Sequence, residues 1–390
     1  MTRIAATADW HVGASPDLAE TPQQRLRDQA DALHNMTDAI ATQKPDAILF
    51  AGDATHRPRP TPAELLVVRD TFDRLADIAP VIAINGNAHD VIGPDQPIAL
   101  QLVRRNGFSL QQKPGVLAAT HRYGDDALDV ACLPWTPPSI LAAQHGRDGE
   151  DERAAAMLID VAAGLRADCG DNAVLMLHWS VSQATSATGI ATSLFHEPVL
   201  NIDDLLAQGW AGIVCGHIHV PQSLAGEPHA FYCGSPMPVD WSEDGYLHGY
   251  WMLDTDTGVA TFHDVPSRPL RTFEIHSEPD VDGGVRLALG YCEPGSVLRF
   301  VVKSEGADPP RVDHASIRAL AAEHYCHVAQ IRIDHQRQTR ARDVRATDSL
   351  GTLEAVEVWA DAQGLDEATS TAVISRTSSY LTKGAASCAS

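Results

Sequence analysis

Five times between residues 4 and 219, a short apolar run ends in side chains that bind metal ions. Residues 4–7 run into Asp9-Trp10-His11, and residues 47–51 into Gly52-Asp53-Ala54-Thr55-His56. Residues 81–84 lead to Asn85-Gly86-Asn87-Ala88-His89-Asp90, residues 174–177 to His178, and residues 213–215 to Gly216-His217-Ile218-His219. In open α/β sheets, ligands bind beyond the carboxyl ends of the strands, so residues placed there converge although they are far apart in sequence. The pattern constrains the first 220 or so residues to an α/β fold whose strand ends meet at a polynuclear metal site.

Between these runs the spacing predicts helices that cover a sheet. Residues 23–40 follow Thr21-Pro22 and place Leu26, Ala30, Leu33 and Ile40 on one side. Residues 61–78 open on Thr61-Pro62-Ala63-Glu64, a capping pattern, and carry Leu65, Val68, Phe72 and Leu75 at helical spacing. Residues 180–198, rich in Ser, Thr and Ala, read as a long loop near the mouth of the site. Residues 228–265, with aromatic runs broken by Gly, Pro and Asp-Gly, suggest antiparallel strands.

The stretch Pro266-Ser-Arg-Pro-Leu reads as a boundary. Beyond it, a strand at 297–302, a helix at 314–323 and a strand at 327–334, where Ile331 and Ile333 alternate with Arg332 and Asp334, form a small β-α-β module. Residues 337–348 are polar; then Leu353, Val356 and Trp359 share a helical face, Gly364 is a C-cap, and Asp366 starts a second helix to about Leu381. Two short helices bury little alone, so this tail either packs back on the body or docks on a partner. Three parts are expected: residues 1–265, 266–336 and 337–390.

Composition narrows the function. No apolar stretch approaches the roughly 20 residues of a membrane helix, and the first strand begins within a few residues of Met1; the expectation is a cytoplasmic protein with no membrane association. Seven scattered cysteines, never spaced C-x-x-C, argue against a disulfide framework and a zinc ribbon. With 51 acidic against 29 basic side chains the formal charge is −22, and basic clusters are small, such as Arg57-Pro58-Arg59 and Arg104-Arg105. Binding of a polyanion then requires cations or a partner to supply much of the attraction.

The chemistry that suits the motifs is a two-metal phosphoryl displacement, in which cations roughly 3.5–4 Å apart clamp the attacking and leaving oxygens. Asp53, at a tight Gly-Asp strand end, is the expected bridge. Asp9, His11 and His219 complete one metal site; Asn87, His178 and His217 the other. The donors are O and N with no thiolate, which admits Mn²⁺, Fe²⁺ or Zn²⁺. His89 is the expected proton donor to the leaving alkoxide, and His56 orients His89 or touches the phosphate. His314, His324, His327 and His335 lack a carboxylate or thiol framework with metal spacing and are read as structural.

The motif order resembles that of the calcineurin-like metallophosphoesterases: D-x-H, G-D, G-N-H-[DE], H and G-H-x-H. Asp9-Trp10-His11-Val12-Gly13, the G-D-x-x-H form at residues 52–56, and Gly234-Ser235-Pro236 with Val239-Asp240-Trp241 and Asp244-Gly245 are similar to the SbcD-type nuclease subunits of DNA end-processing complexes. The resemblance is specific over residues 1–250 and rests on element order beyond them. It implies a two-sheet α/β sandwich, a C-terminal DNA-capping domain and a helical site for an SbcC-type ATPase through Leu353, Val356 and Trp359. It also implies two divalent ions, with Mn²⁺ in first place, and a homodimer within a complex that cuts DNA ends as a double-strand 3'-5' exonuclease and single-strand endonuclease. A small-phosphodiester enzyme of the same superfamily and a non-catalytic scaffold are the other readings. Ala88 departs from the family pattern, where Asn and His are adjacent; around a turn the extra residue is absorbed as a bulge.

Overall fold

The apolar runs are strands of two sheets. In the first, β1 (Arg3–Thr7), β2 (Ala47–Phe50), β3 (Val81–Ile84) and β4 (Phe108–Gln111) are parallel neighbours, extended by β13 (Gly249–Asp254) and β14 (Val259–Asp264) in the order β14-β13-β1-β2-β3-β4. In the second, β6 (Leu128–Leu133), β7 (Ala173–His178), β10 (Gly212–Gly216) and β12 (Glu227–Tyr232) are parallel, flanked by β5 (Gly115–Ala119) and β11 (Gln222–Leu224) in the order β11-β12-β10-β7-β6-β5. The short pair β8 (Ser180–Val181) and β9 (Val199–Leu200) borders the second sheet in sequence. The computed structural model describes residues 2–15, 17–87, 90, 97–103, 105–119, 128–137, 150–186, 197–276, 280–306, 309–337 and 351–387. Ala88, His89, Arg104, Cys388, most of the expected loop (187–196) and most of the polar stretch (338–350) lie outside the described residues.

Period-two alternation builds the layers. Ile4, Ala6, Leu49, Ala51, Val174, Met176 and Val214 face the other sheet and form one buried cluster. The alternate residues face helices. Ala5, Ile48 and Phe50 pack with α1 (Pro22–Gln43) and α2 (Pro62–Ile78). Leu175, Leu177, Ile213 and Cys215 share a cluster with residues of α3 (Glu150–Ala167) and α4 (Ile202–Leu206). The result is a helix-sheet-sheet-helix sandwich, whose near-continuous apolar strands are what parallel strands covered on both faces require.

Local signals place the helices. Thr21 and Thr61 accept from the backbone N–H groups of Gln24 and Glu64, Pro stands in each first turn, and Glu64 returns to Thr61 to close a capping box. Trp10, Phe50 and Phe72 are fully buried, and the Trp10 ring lies 4.6 Å from each of the other two, fixing the first strand-end loop against α2.

Two regions differ from the sequence expectation. The strand at the start of the aromatic region, β12, is parallel to β10, whereas β11–β12, β13–β14 and β1–β13 pair antiparallel. The C-terminal module contains an additional strand and helix ahead of the expected elements, β15 (Leu270–His276) and α5 (Val281–Leu289), before β16 (Val297–Gly306), α6 (His314–Glu323) and β17 (His327–Arg337). β15 is parallel to β16, so β15-α5-β16 is itself a β-α-β unit. The Gly283-Gly284 pair hides the α5 helix in sequence, because glycine weakens helix propensity; an Asp280 cap and the burial of Val285 and Leu289 offset it.

By compactness the chain divides into Met1–Lys303 with Arg311–Asp334, and Ser304–Pro310 with His335–Ser390. In the second unit, α7 (Thr352–Ala362) and α8 (Glu367–Ser387) are joined at Gly364, whose φ of 63° is the left-handed C-cap the sequence calls for. Asp366 caps α8 through the Thr369 N–H. Among the described residues the cysteines are free, and no helix is long and apolar enough to cross a membrane.

Candidate metal centre

Beyond the ends of β1, β2, β3, β7 and β10 the backbone turns sharply. Asp9, His11, Asp53 and His217 all have positive φ, at 55°, 42°, 59° and 98°. Such conformations cost on the order of 1–3 kcal/mol each and persist where surrounding structure imposes them. Here the Asp9 N–H donates to Gly52 O at 2.9 Å, the His11 N–H to Asp53 O at 3.1 Å and the His56 N–H to Val12 O at 3.0 Å, zipping the first two loops together. The His217 N–H donates to both Asp9 carboxylate oxygens, at 2.9 and 3.0 Å, which ties the end of the second sheet to the first.

The close approach of the sheets depends on missing side chains. A Cβ on Gly216 would lie 2.1 Å from Ala51 O, and one on Gly52 would lie 2.4 Å from His178 Nδ1. Glycine at both positions lets His178 reach across. Its parity on β7 aims it between the sheets, where Nδ1–H donates to Ala51 O at 2.7 Å. Nε2 is then the nitrogen that faces Asp53 Oδ2, at 3.4 Å. The same oxygen lies 3.4 Å from His11 Nε2.

Two overlapping donor groups result: Asp9, His11 and His219, and Asp9, Asp53 and His178, the ligand atoms of each within 4.8 Å of one another. Asn87 donates its N–H to Asp53 Oδ1 at 3.1 Å, and its side-chain amide nitrogen is 3.4 Å from His217 Nδ1. The His56 ring centroid is 5.7 Å from that of His11. The structure thus brings Asp9, His11, Asp53, His56, Asn87, His178, His217 and His219 to one end of the sandwich; His89 lies outside the described residues. Leu353 and Val356 on α7 are half-buried and Trp359 is exposed within the helical unit.

The donors fit divalent cations on chemistry as well as position. Asp9, Asp53 and His178 are almost wholly buried. Burial pushes the Asp9 carboxyl up to about 6 against the pull of His178 and His219. Burial alone pulls His178 and His219 down, but Asp53 beside the first and Glu243 beside the second raise both to about 9. The pocket compensates its charge by holding protons, which cations displace on binding.

Three carboxylates support the centre, of which Glu197 and Glu243 escape a sequence reading and Asp90 is visible there without an assigned role. Asp90 Oδ2 accepts the N–H groups of Asp53 at 2.9 Å and Gly86 at 2.8 Å. Glu197 contacts His217, and Glu243 accepts from His219. Asp90 stands within a recognised motif, and its position after His89 is a signal; Glu197, in a polar loop ahead of Pro198, offers none. Glu243 lies in the quoted segment between Trp241 and Asp244, and burial alone sets it apart.

Residues 2–221 match the family model described as calcineurin-like phosphoesterase. The chain is 26% identical over 302 residues to the SbcD subunit of nuclease SbcCD from Rhodobacter capsulatus, covering 71% of this chain and 72% of that one. To the SbcD subunit of the Bacillus subtilis nuclease SbcCD it is 27% identical over 286 residues, covering 67% and 69%. A solved dimetal phosphatase from Danio rerio aligns over 64% of this chain and 91% of its own, with a TM-score of 0.39 and 12% identity.

Proposed function

Because the chain belongs to the calcineurin-like phosphoesterases, we propose that it is a two-metal nuclease acting on DNA ends. One observation carries the two-metal part: two donor groups share Asp9, and one oxygen of Asp53 faces both His11 and His178. Asp9, His11 and His219 would hold one ion and His178, His217 and Asn87 the other, with Asp53 placed to serve both. Two divalent cations bound there would lower the pKa of an attacking water and neutralise charge on the reacting phosphate. Mn²⁺ is the ion we assign, with Fe²⁺ and Zn²⁺ chemically admissible for the same donors.

The protein's own groups orient and move protons. Hydrogen bonds to Ala51 and Glu243 fix the rings of His178 and His219, so their ligand nitrogens are in place before substrate arrives. His89 donates the proton to the leaving oxygen, worth typically about 10²–10⁴-fold in rate, and His56, beside His11, contacts the phosphate or His89.

DNA as substrate is supported by the likeness to the SbcD subunits of nuclease SbcCD over about 70% of the chain. With a formal charge of −22 the chain needs help to hold a polyanion. We assign that help to an SbcC-type ATPase docked on α7 through Leu353, Val356 and Trp359, with residues 266–336 as the DNA-capping module and the complex built around a homodimer of this chain.

The test is digestion of end-labelled linear duplex with Mn²⁺ by wild type, Asp53→Ala and His89→Ala, with and without the ATPase. Metal-dependent cutting lost in both variants is expected. No cutting by wild type in either condition, with hydrolysis of a small phosphodiester instead, overturns the nuclease assignment. Trp359→Asp is expected to abolish co-purification with the ATPase while leaving the catalytic unit folded; an unchanged complex removes the tail as the dock.

A further inference from the structure

The first turns of α1 face two ways. Arg25, Asp28 and Gln29 follow one another at helical spacing, on one side of the helix. Gln29 is 1% exposed, and its amide brackets the loop of the first motif: Oε1 accepts the Gly13 N–H at 3.0 Å, and Nε2 donates to His11 O at 3.2 Å. Arg25, also buried, donates from Nε to Ala14 O at 3.3 Å and from Nη2 to Pro238 O. The His11 backbone, at a φ of 42°, keeps its place only where neighbours hold it in this way.

Asp28 meets the boundary stretch instead. Its Oδ2 accepts from Arg268 Nη1 at 3.0 Å, while Oδ1 accepts from Gln24 at 2.8 Å. The same guanidinium donates to the two Glu20 oxygens at 2.8 and 2.6 Å, and its Nε donates to Gly295 O at 2.7 Å. Asn35, two turns further along α1, donates to Pro266 O at 2.9 Å.

We propose that Arg268 is a positioning residue for the ion held by Asp9, His11 and His219. Acting through α1 and Gln29, it lets the seat of the β15-α5-β16 unit on α1 set how tightly that ion alone is bound. The inference rests on the two-metal reading above and deepens it.

The geometry favours this over an incidental surface ion pair. The Arg268 side chain is 18% exposed and that of Asp28 10%, and Nε, Nη1 and Nη2 all have acceptors, so the guanidinium is fixed in one geometry. Asp28 and Gln29 are adjacent in one rigid helix, so a displacement of the first moves the second. A second tie reaches the same ion. Leu270 and Val297 share a buried cluster with Leu18, against which Trp241 packs, and the Arg299 guanidinium lies over the Trp241 ring at 4.8 Å. Trp241 opens the 3-10 turn that carries Glu243, the partner of His219. Both histidines of the first donor group are therefore tied to segments that touch the β15-α5-β16 unit. In the other group, His178 and Asp53 are held inside the sandwich, His178 by Ala51 O and the Asp53 N–H by Asp90.

The experiment titrates Mn²⁺ into the full chain by calorimetry, with His219→Ala identifying the affinity that belongs to the first site. Gln29→Leu is expected to weaken that site by about 10–100-fold, the range for residues that orient metal ligands, and to leave the other site unchanged. Arg268→Ala is expected to weaken the same site alone, by about 3–30-fold. Because Arg268 acts through Gln29, the double variant should bind no more weakly than Gln29→Leu. Asp28→Asn keeps the side-chain shape and the bond from Gln24 but removes the charge that Arg268 meets. It is expected to weaken the same site, and it carries the test if Arg268→Ala does not fold. A merely structural ion pair lowers Tm and leaves both affinities alone, or weakens both sites together. Either result, or full additivity with Gln29→Leu, overturns the proposal. Wild type that fails to bind two Mn²⁺ sinks the two-metal reading and this inference with it; two wild-type sites that respond in one of those ways sink this inference alone.

Discussion

Asp90 Oδ2 accepts the backbone N–H of Asp53 at 2.9 Å, and with it the N–H of Gly86 at 2.8 Å. One carboxylate from the third motif therefore fixes the loop that carries the expected bridging ligand. Burial, helped by the charge of Asp53, raises Asp90 to about 7, so near neutral pH it holds a proton for much of the time in the metal-free protein. Asp90→Asn keeps an acceptor and a donor in the same place and is expected to melt within a few degrees of wild type at about pH 6. Asp90→Ala leaves two buried N–H groups without an acceptor, at about 1–3 kcal/mol each, and is expected to lower Tm markedly. Equal melting of the two variants would show that the hydrogen bonds do not matter.

Asp53 Oδ2 lies 3.4 Å from a ligand nitrogen of each site, His11 Nε2 and His178 Nε2, while His219 belongs to one donor group. Calorimetric titration with Mn²⁺ should therefore find both tight sites lost in Asp53→Ala and only one lost in His219→Ala. Two retained sites in Asp53→Ala would remove it from the centre.

The pH dependence has a definite sign. Asp9 at about 6, Asp90 at about 7, and His178 and His219 at about 9 all lie above their ordinary values. The metal-free folded chain thus binds more protons than the unfolded one, and this contribution to stability is present at low pH and lost as pH rises from about 4 to about 9. Cations replace those protons, so the gain in Tm from Mn²⁺ should grow across the same window. Melts in chelator and in Mn²⁺ at several pH values check both trends; a metal-induced gain that shrinks with rising pH contradicts the assignment.

Gly52 combines a φ of 98° with a Cβ position 2.4 Å from His178 Nδ1 and 2.8 Å from the backbone of Gly86. Gly52→Ala is expected to cost stability through backbone strain of about 1–2 kcal/mol and to displace His178, weakening one metal site more than tenfold. Wild-type metal affinity in this variant would mean that His178 is not held by that contact.

Much of this architecture is legible in one dimension because its signals are local. Thr61-Pro62-Ala63-Glu64 specifies a helix start by hydrogen bonds within four residues, and the folded chain closes that capping box. The Gly364 and Asp366 caps of the tail are equally short-range. By contrast, α5 is read past because Gly283-Gly284 opposes a helix locally, and only the packing of Val285 and Leu289 against the adjoining sheet overrides it. The parallel placement of β12 beside β10 is likewise a long-range pairing that turn residues do not encode.

For the site, the order of residue types at strand ends is enough to name the side chains that converge, because a strand that stops in Asp or His has little else to do with it inside an α/β sheet. Their partners require the tertiary structure. Glu197 and Glu243 reach the centre from segments whose sequence shows only a polar loop and a turn, and the two carboxylates touch opposite nitrogens of rings two residues apart. Residue types and local periodicity determine which chemistry the chain carries. Which nitrogen, which oxygen and which proton take part depends on contacts between residues 20 or more apart in sequence, and only close packing of the two sheets brings those together.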